Sequence, residues 1–194
     1  MIDACVSLLQ EAPQVPTATE IARRAGCSTR LVFVHFGDLM GLVLPVAYQS
    51  LAVARGAAVA RNVDADRATR IATQVEIRAG SCETWLPLWR VALAVQNKSK
   101  ELRSFIEFVH AITIKRLELM YARELATLAA LERRQLLIAL EAIVDFQSWG
   151  RMRDDQGLSV EQARTVWTQV IDRMLPPTPP ALIDNADAIA KPCH

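Results

Sequence analysis

Neither sign of charge prevails in this chain. Lys and Arg number 22 against 21 Asp and Glu, so bulk attraction to a polyanion is excluded and any such contact must come from a local patch. Four cysteines, Cys5, Cys27, Cys82 and Cys193, lie scattered without a close pair, which removes a redox pair or a thiolate metal site. Cys5 and Cys27 fall on apolar faces and read as small core residues. Only 3 His are present, with no Gly-rich phosphate loop, nucleophile elbow or metal-spaced cluster. No catalytic residue, metal ligand or cofactor is therefore expected, and the enzyme class falls away. Apolar runs such as LVLPVA are far shorter than the roughly twenty residues a membrane span requires. The N-terminus also lacks the basic-then-apolar order of a secretion signal, so no membrane role and a reducing, cytoplasmic location are expected. What the chain does have is 52% hydrophobic residues and only 7 Gly in 194, the composition of a packed, helix-rich globule.

The most specific stretch is TATEIARRAGCSTRLVFVHF, residues 17–36. Thr17 followed by Glu20 makes a capping box that starts a helix. Ile21, Ala22 and Ala25 give that helix an apolar stripe, Arg23 and Arg24 fall on the open side, and Gly26 supplies the left-handed residue that ends it. Ser28 can cap a second helix, in which Val32 and Phe36 face one way while Thr29, Arg30 and Phe33 face another. A second helix with a small, mixed polar and aromatic free face suits the DNA major groove. Arg can pair with guanine edges, Thr with bases or phosphates, and a ring with thymine methyls.

Thr17, Ile21, Ala22, Ala25, Gly26, Ser28, Phe33, His35 and Phe36 together resemble the helix-turn-helix signature of the TetR (tetracycline repressor) family of transcriptional regulators. Residues 2–9 resemble the family's first helix, and residues 37–46 the start of its fourth. The resemblance implies an all-α fold: a three-helix DNA-binding head over residues 1–47, a helical effector-binding and dimerisation body over 48–175, and a Pro-rich tail over 176–194. It implies double-stranded DNA as partner, bound as a palindromic operator, with Arg30 reading bases, Thr29 and Phe33 flanking it, and Thr17, Ser28 and His35 anchoring phosphates. Three departures stand out. Phe33 replaces the usual Tyr, Leu39 stands where a Lys meets the DNA backbone, and residues 1–47 set Arg23, Arg24 and Arg30 against Asp3, Glu11, Glu20 and Asp38.

Beyond the head, Asp38 can cap a connecting helix that bends at Pro45 and runs towards Arg61. A helix from Asp64 to about Ala79 is predicted to break at GSCET, residues 80–84, with a new start near Thr84 that puts Pro87 in a first turn. Leu102, Phe105, Ile106, Val109, Ile112, Leu117 and Met120 describe one long amphipathic helix over about 99–125. Two further helices, about 130–152 and 160–175, are separated by Gly157 and the Ser159–Gln162 capping box, while Arg151, Arg153, Asp154 and Asp155 read as a solvated loop. The last two helices carry more apolar surface than one packing face consumes, with Leu136, Leu137, Ile138 and Leu140 spread around the first of them. That excess, with the resemblance, predicts a homodimer through this pair. Trp85, Trp89, Phe105, Phe108, Met120 and Tyr121, with His110 beside them, concentrate aromatic and soft side chains mid-body, where the resemblance places an effector pocket. The expected effector is a small apolar or aromatic molecule, and no positioned charge pair points to a charged one. The combined expectation is a ligand-responsive regulator, a repressor released from its operator by effector. The alternative is a helical dimeric adaptor or ligand-binding protein that binds DNA weakly or has lost that affinity.

Overall fold

The computed structural model describes residues 1–12, 14–37, 39–57 and 61–180, and every regular element among them is helical. In chain order these are α1 (Ile2–Glu11), α2 (Ala18–Ala25), α3 (Thr29–Phe36), α4 (Leu39–Ala57), α5 (Arg67–Val95), α6 (Lys100–Met120), α7 (Ala122–Leu125), α8 (Ala130–Ile143), α9 (Phe146–Gly150) and α10 (Val160–Met174). A π-helical turn, Arg151–Asp155, follows α9. Helices α1 to α3 and the start of α4 form a small head around Val6, Leu9, Ile21, Val32, Leu42 and Val46, all buried. The head rests on α5, whose Leu88 and Val91 line the same apolar seam as Leu9, Ile21 and Val43. The expected head-to-body boundary at residue 47 thus lies inside one helix, α4, which joins the two. Asp38, the expected cap of α4, lies outside the described residues, as do Leu182, Ile183 and Cys193 of the tail.

Helix α5 overturns the expected break at 80–84. It runs unbroken for 29 residues, about 44 Å at 1.5 Å per residue, with Pro87 in its interior. The residues that read as a turn are absorbed by the helix itself: the Ser81 hydroxyl donates to the Ile77 carbonyl at 3.1 Å and the Thr84 hydroxyl to the Gly80 carbonyl at 3.1 Å. Ala79, Cys82, Leu86 and Trp89 on its inner face are buried, and this tertiary packing outweighs the local turn preference.

The two long helices expected after it are each interrupted, and in both cases an arginine of α5 sits at the break. Arg70 donates to the Met120 carbonyl at 2.7 Å, the acceptor that a continuous helix would have offered to the Glu124 N–H, and α6 ends there. Arg78 Nε donates to the Val144 carbonyl at 2.6 Å, just past the end of α8. Asp145 then caps α9, its carboxylate accepting from the Ser148 N–H at 2.6 Å. Residues 151–155, read as a solvated loop, form a π-helical turn in which Arg151, Asp154 and Asp155 are exposed and two side chains are anchored. Arg90 pairs with Asp154, and Arg153 Nε donates to Glu83 at 3.0 Å and its guanidinium to the Leu158 carbonyl. Helix α10 starts at the predicted capping box, with the Gln162 N–H donating to the Ser159 hydroxyl at 3.2 Å.

At the base of the body, Arg70 and Glu124 form a buried ion pair at 2.5 Å, their side chains 1% and 0% exposed. A second Arg70 bond to Glu124 measures 2.8 Å, and the Thr178 hydroxyl also donates to that carboxylate. Burial alone would raise the Glu124 pKa, but these donors outweigh it and hold the carboxyl well below its usual range. Nearby, Arg67 donates to Asp172 at 2.7 Å and to the Leu175 carbonyl at 3.1 Å. The first residues after α10 are thereby fastened to the start of α5.

Candidate nucleic-acid interface and apolar cavity

The head carries the predicted helix-turn-helix geometry in detail. The Glu20 N–H donates to the Thr17 hydroxyl at 3.3 Å, and the Glu20 carboxylate accepts from the Thr17 N–H at 2.7 Å. Gly26 adopts φ 65°, ψ 33°, the left-handed conformation that lets the chain turn sharply between α2 and α3. Ser28 caps α3, its hydroxyl oxygen accepting from the Leu31 N–H at 3.2 Å. Within α3, Val32 is buried and Phe36 half-buried against the head, while Arg30, Leu31, Phe33, Val34 and His35 are exposed and Thr29 is half-exposed. Among the described residues Arg30 makes no ion pair, so its guanidinium is available to a groove.

The expected phosphate anchors are not equivalent. The Thr17 hydroxyl already donates to the Glu20 carboxylate at 2.8 Å, so its proton is engaged within the cap. The Ser28 hydroxyl accepts the Leu31 N–H and keeps its own proton for an outside acceptor. His35 stands exposed near the end of α3, its ring 6.2 Å from that of Phe36. Arg24 is turned away from any such role by a bidentate pair with Glu11 at 2.5 and 2.6 Å. Glu11 is in turn held below the usual carboxylate range, chiefly by its hydrogen bond from Arg24. Gly41, at the start of α4, lies so close to the Phe36 carbonyl that a Cβ there would collide with it. This close approach seats α4 against the end of α3 and was not read from the sequence.

In the body, Trp85 and Trp89 of α5 and Phe105 of α6 come together on one apolar cavity of about 90 Å³. Helix α4 supplies a wall of it through Ala47, Ser50 and Leu51, and α9 supplies Phe146. Its volume is smaller than the roughly 300 Å³ at which small-molecule sites begin, so a ring-sized occupant has to part its walls. The Phe146 ring stacks on Trp89 at 4.8 Å and 24°, and His110 meets the Trp89 ring edge-on at 5.6 Å. His110 Nδ1 lies 2.6 Å from Glu141 Oε1, and that hydrogen bond raises the histidine pKa.

Three of the six predicted pocket residues lie outside this cavity lining. Phe108 is 45% exposed on α6, and Met120 and Tyr121 are wholly buried at the break between α6 and α7, beside Arg70. Nine of the twelve lining residues were missed, among them Phe146, Ser50 and Arg78. Phe146 follows a recognisable Asp145 cap, but Ser50 and Arg78 have no local signal, because only the packing of α4, α5 and α9 brings them together. Among the described residues no group of three or more His, Cys, Asp or Glu side chains converges as a metal site would require. Burial pushes the Cys5 and Cys82 thiols up to about 11 and about 12, so neither is a ready thiolate.

The exposed apolar side chains of the last helices are Leu131 and Ile138 on α8 and Val166 on α10. Leu137 and Leu140 are buried within the chain and Leu136 partly so. Among the described residues no single helix is long and apolar enough to cross a membrane.

No protein-family model matches the chain, and none of the curated proteins does. Among solved structures it is similar to one assigned to the TetR family of transcriptional regulators, from Rhodococcus sp., with a TM-score of 0.56. The two are 21% identical, and the match covers 90% of this chain and 95% of that one. The likeness is one of fold: a helix-turn-helix head joined by a connecting helix to a larger all-helical body, as in TetR-family regulators.

Proposed function

We propose that the chain is a dimeric, ligand-responsive transcriptional regulator that holds a palindromic duplex through two copies of α3 and releases it when a small apolar or aromatic molecule enters the cavity. One observation carries this reading: α4 begins against the end of the exposed reading helix and continues as a wall of the aromatic cavity. Arg30 reads a base edge, with Thr29 and Phe33 flanking it, and Ser28 and His35 meet phosphates. Thr17 supports the interface by fixing the start of α2. Leu131, Ile138 and Val166 supply the apolar surface across which a second copy packs, placing two reading helices about one DNA turn apart. A ligand that displaces Ala47, Ser50 or Leu51 moves α4 and so changes that spacing, which couples the two binding events. Repression follows as the sign of regulation if the operator overlaps a promoter.

The direct test is selection of the full-length protein against random duplex DNA, with Arg30→Ala run beside it. The expected result is a palindrome that the mutant no longer prefers at one position per half-site, with a loss of about 1 to 3 kcal/mol. An identical profile in the mutant refutes the assignment of Arg30.

A second reading is favoured by the engagement of Arg24 with Glu11 and by the apolar exposure of Leu31, Phe33 and Val34. It makes the chain a dimeric adaptor whose α3 face meets a protein. Absence of any enrichment, even at low salt, supports it.

A further inference from the structure

The cavity is apolar on most of its wall, and of its polar groups Ser81 is satisfied by the Ile77 carbonyl while Ser50, Trp89 and Arg78 are not fully paired. Ser50 and Trp89, 4% and 6% exposed, both line it, and among the described residues neither the Ser50 hydroxyl nor the Trp89 indole N–H has a hydrogen-bond partner. Buried polar atoms are nearly always paired, so two orphans on one cavity point to an occupant that pairs them. Arg78 lines the same cavity, half-buried, with its guanidinium 4.4 Å from the centre of the Phe146 ring. Its Nε is taken by the Val144 carbonyl, which leaves the two terminal amino groups as a fork.

No carboxylate neutralises Arg78 among the described residues, and the nearby acids are engaged elsewhere. Glu83 accepts from the Trp149 indole at 2.6 Å and from Arg153 at 3.0 Å. Glu141 is held by His110 and Asp145 by the Ser148 N–H. Arg116 is held below its ordinary pKa by burial and then by the charges of Arg61 and Arg78. A guanidinium without a carboxylate partner in an apolar wall favours an anion, because part of its desolvation cost is met before the ligand arrives.

We propose that the molecule this cavity takes is an aromatic carboxylate, its ring among Trp85, Trp89, Phe105 and Phe146 and its carboxylate on the Arg78 fork, with Ser50 donating to the same anion. This rests on the reading of the cavity as the effector site and narrows the class of effector. It also replaces the expectation that no charge points to a charged ligand. Because Ser50 stands on α4, the carboxylate would draw the connecting helix towards α5.

The test is calorimetric titration of the full chain with three matched acid and amide pairs: benzoate and benzamide, 1-naphthoate and 1-naphthamide, and indole-3-acetate and indole-3-acetamide. At least one acid is expected to bind about tenfold or more tightly than its amide, a preference that Arg78→Gln abolishes and Arg78→Lys partly keeps. Ser50→Ala, which removes a hydroxyl the fold does not use, should weaken the acid severalfold without altering stability. Equal affinity of acid and amide in all three pairs overturns the inference. So does a preference that survives Arg78→Gln, or the failure of every acid to bind at about 1 mM. An acid preference that leaves DNA binding unchanged keeps the anion site and removes the regulatory reading; DNA release by the amides alone does the reverse.

Discussion

If the head binds duplex DNA as proposed, the ion pair between Arg24 and Glu11 sets how steeply that binding responds to salt. Each phosphate neutralised by a protein cation releases condensed counterion, and the logarithm of affinity falls with that of salt with a slope of about −0.9 per contact. Among the described residues Arg23 and Arg30 are the head arginines without a carboxylate partner, and the proposed dimer presents each twice. The slope should therefore be no steeper than about −4, or about a hundredfold loss between roughly 50 and 200 mM salt. Glu11→Gln removes the carboxylate that holds Arg24 and touches nothing in the head core, since Glu11 is exposed. Two further cations then become available per dimer, and the loss over the same interval should grow to about a thousandfold. Fluorescence anisotropy on the selected duplex, repeated across that salt range for both proteins, reads the two slopes. A slope of about −8 in the unmodified protein, or identical slopes in the pair, would show that the DNA contacts come from elsewhere.

Glu124→Leu should cost about 3 to 5 kcal/mol in chemical denaturation, because it leaves Arg70 buried and unpaired, whereas Arg70→Met with Glu124→Leu should recover most of that; a loss from the single change as small as a surface substitution would refute the account. The Glu124 carboxyl titrates lower folded than unfolded, so its stabilisation is present above about 4.5 and is lost as pH falls towards about 2; acid denaturation midpoints should converge when the pair is replaced by Met and Leu. Gly41→Ala drives a methyl into the Phe36 carbonyl and should lower thermal stability by about 1 to 3 kcal/mol and weaken DNA binding with it; an unchanged melting curve would mean that α4 can shift freely. Ile138→Glu places a charge in the exposed face of α8 and should convert dimer to monomer in sedimentation equilibrium, with DNA affinity falling in step; a dimer of undiminished stability would put the interface elsewhere.

The head was legible in the sequence because its determinants are local. Thr17 with Glu20, Gly26, and Ser28 each act within four residues, and each stands in the fold where the pattern put it. The body was less legible because its helix ends are set from a distance. Nothing near Met120 or Val144 announces a break; the acceptors there are claimed by Arg70 and Arg78, some 50 and 66 positions away in the chain. Conversely, the turn-forming residues at 80–84 failed to turn because their hydroxyls found carbonyls one turn back and their apolar neighbours found a core. The cavity followed the same division. Its tryptophans and Phe105 were visible as aromatic residues on helices, while Arg78 as a cavity cation emerges only from three helices meeting.

Leu88 lies on two surfaces at once: it lines the aromatic cavity, and it also lines the seam where the head rests on α5. A side chain of different size at this position would alter ligand fit and head seating together, so residue 88 is poorly placed for the evolution of new specificity. Phe105 and Phe146 line the cavity and not the seam. If the cavity takes an effector as proposed, a sensor engineered on this scaffold should accordingly vary α6 and α9 and leave the shared face of α5 unchanged.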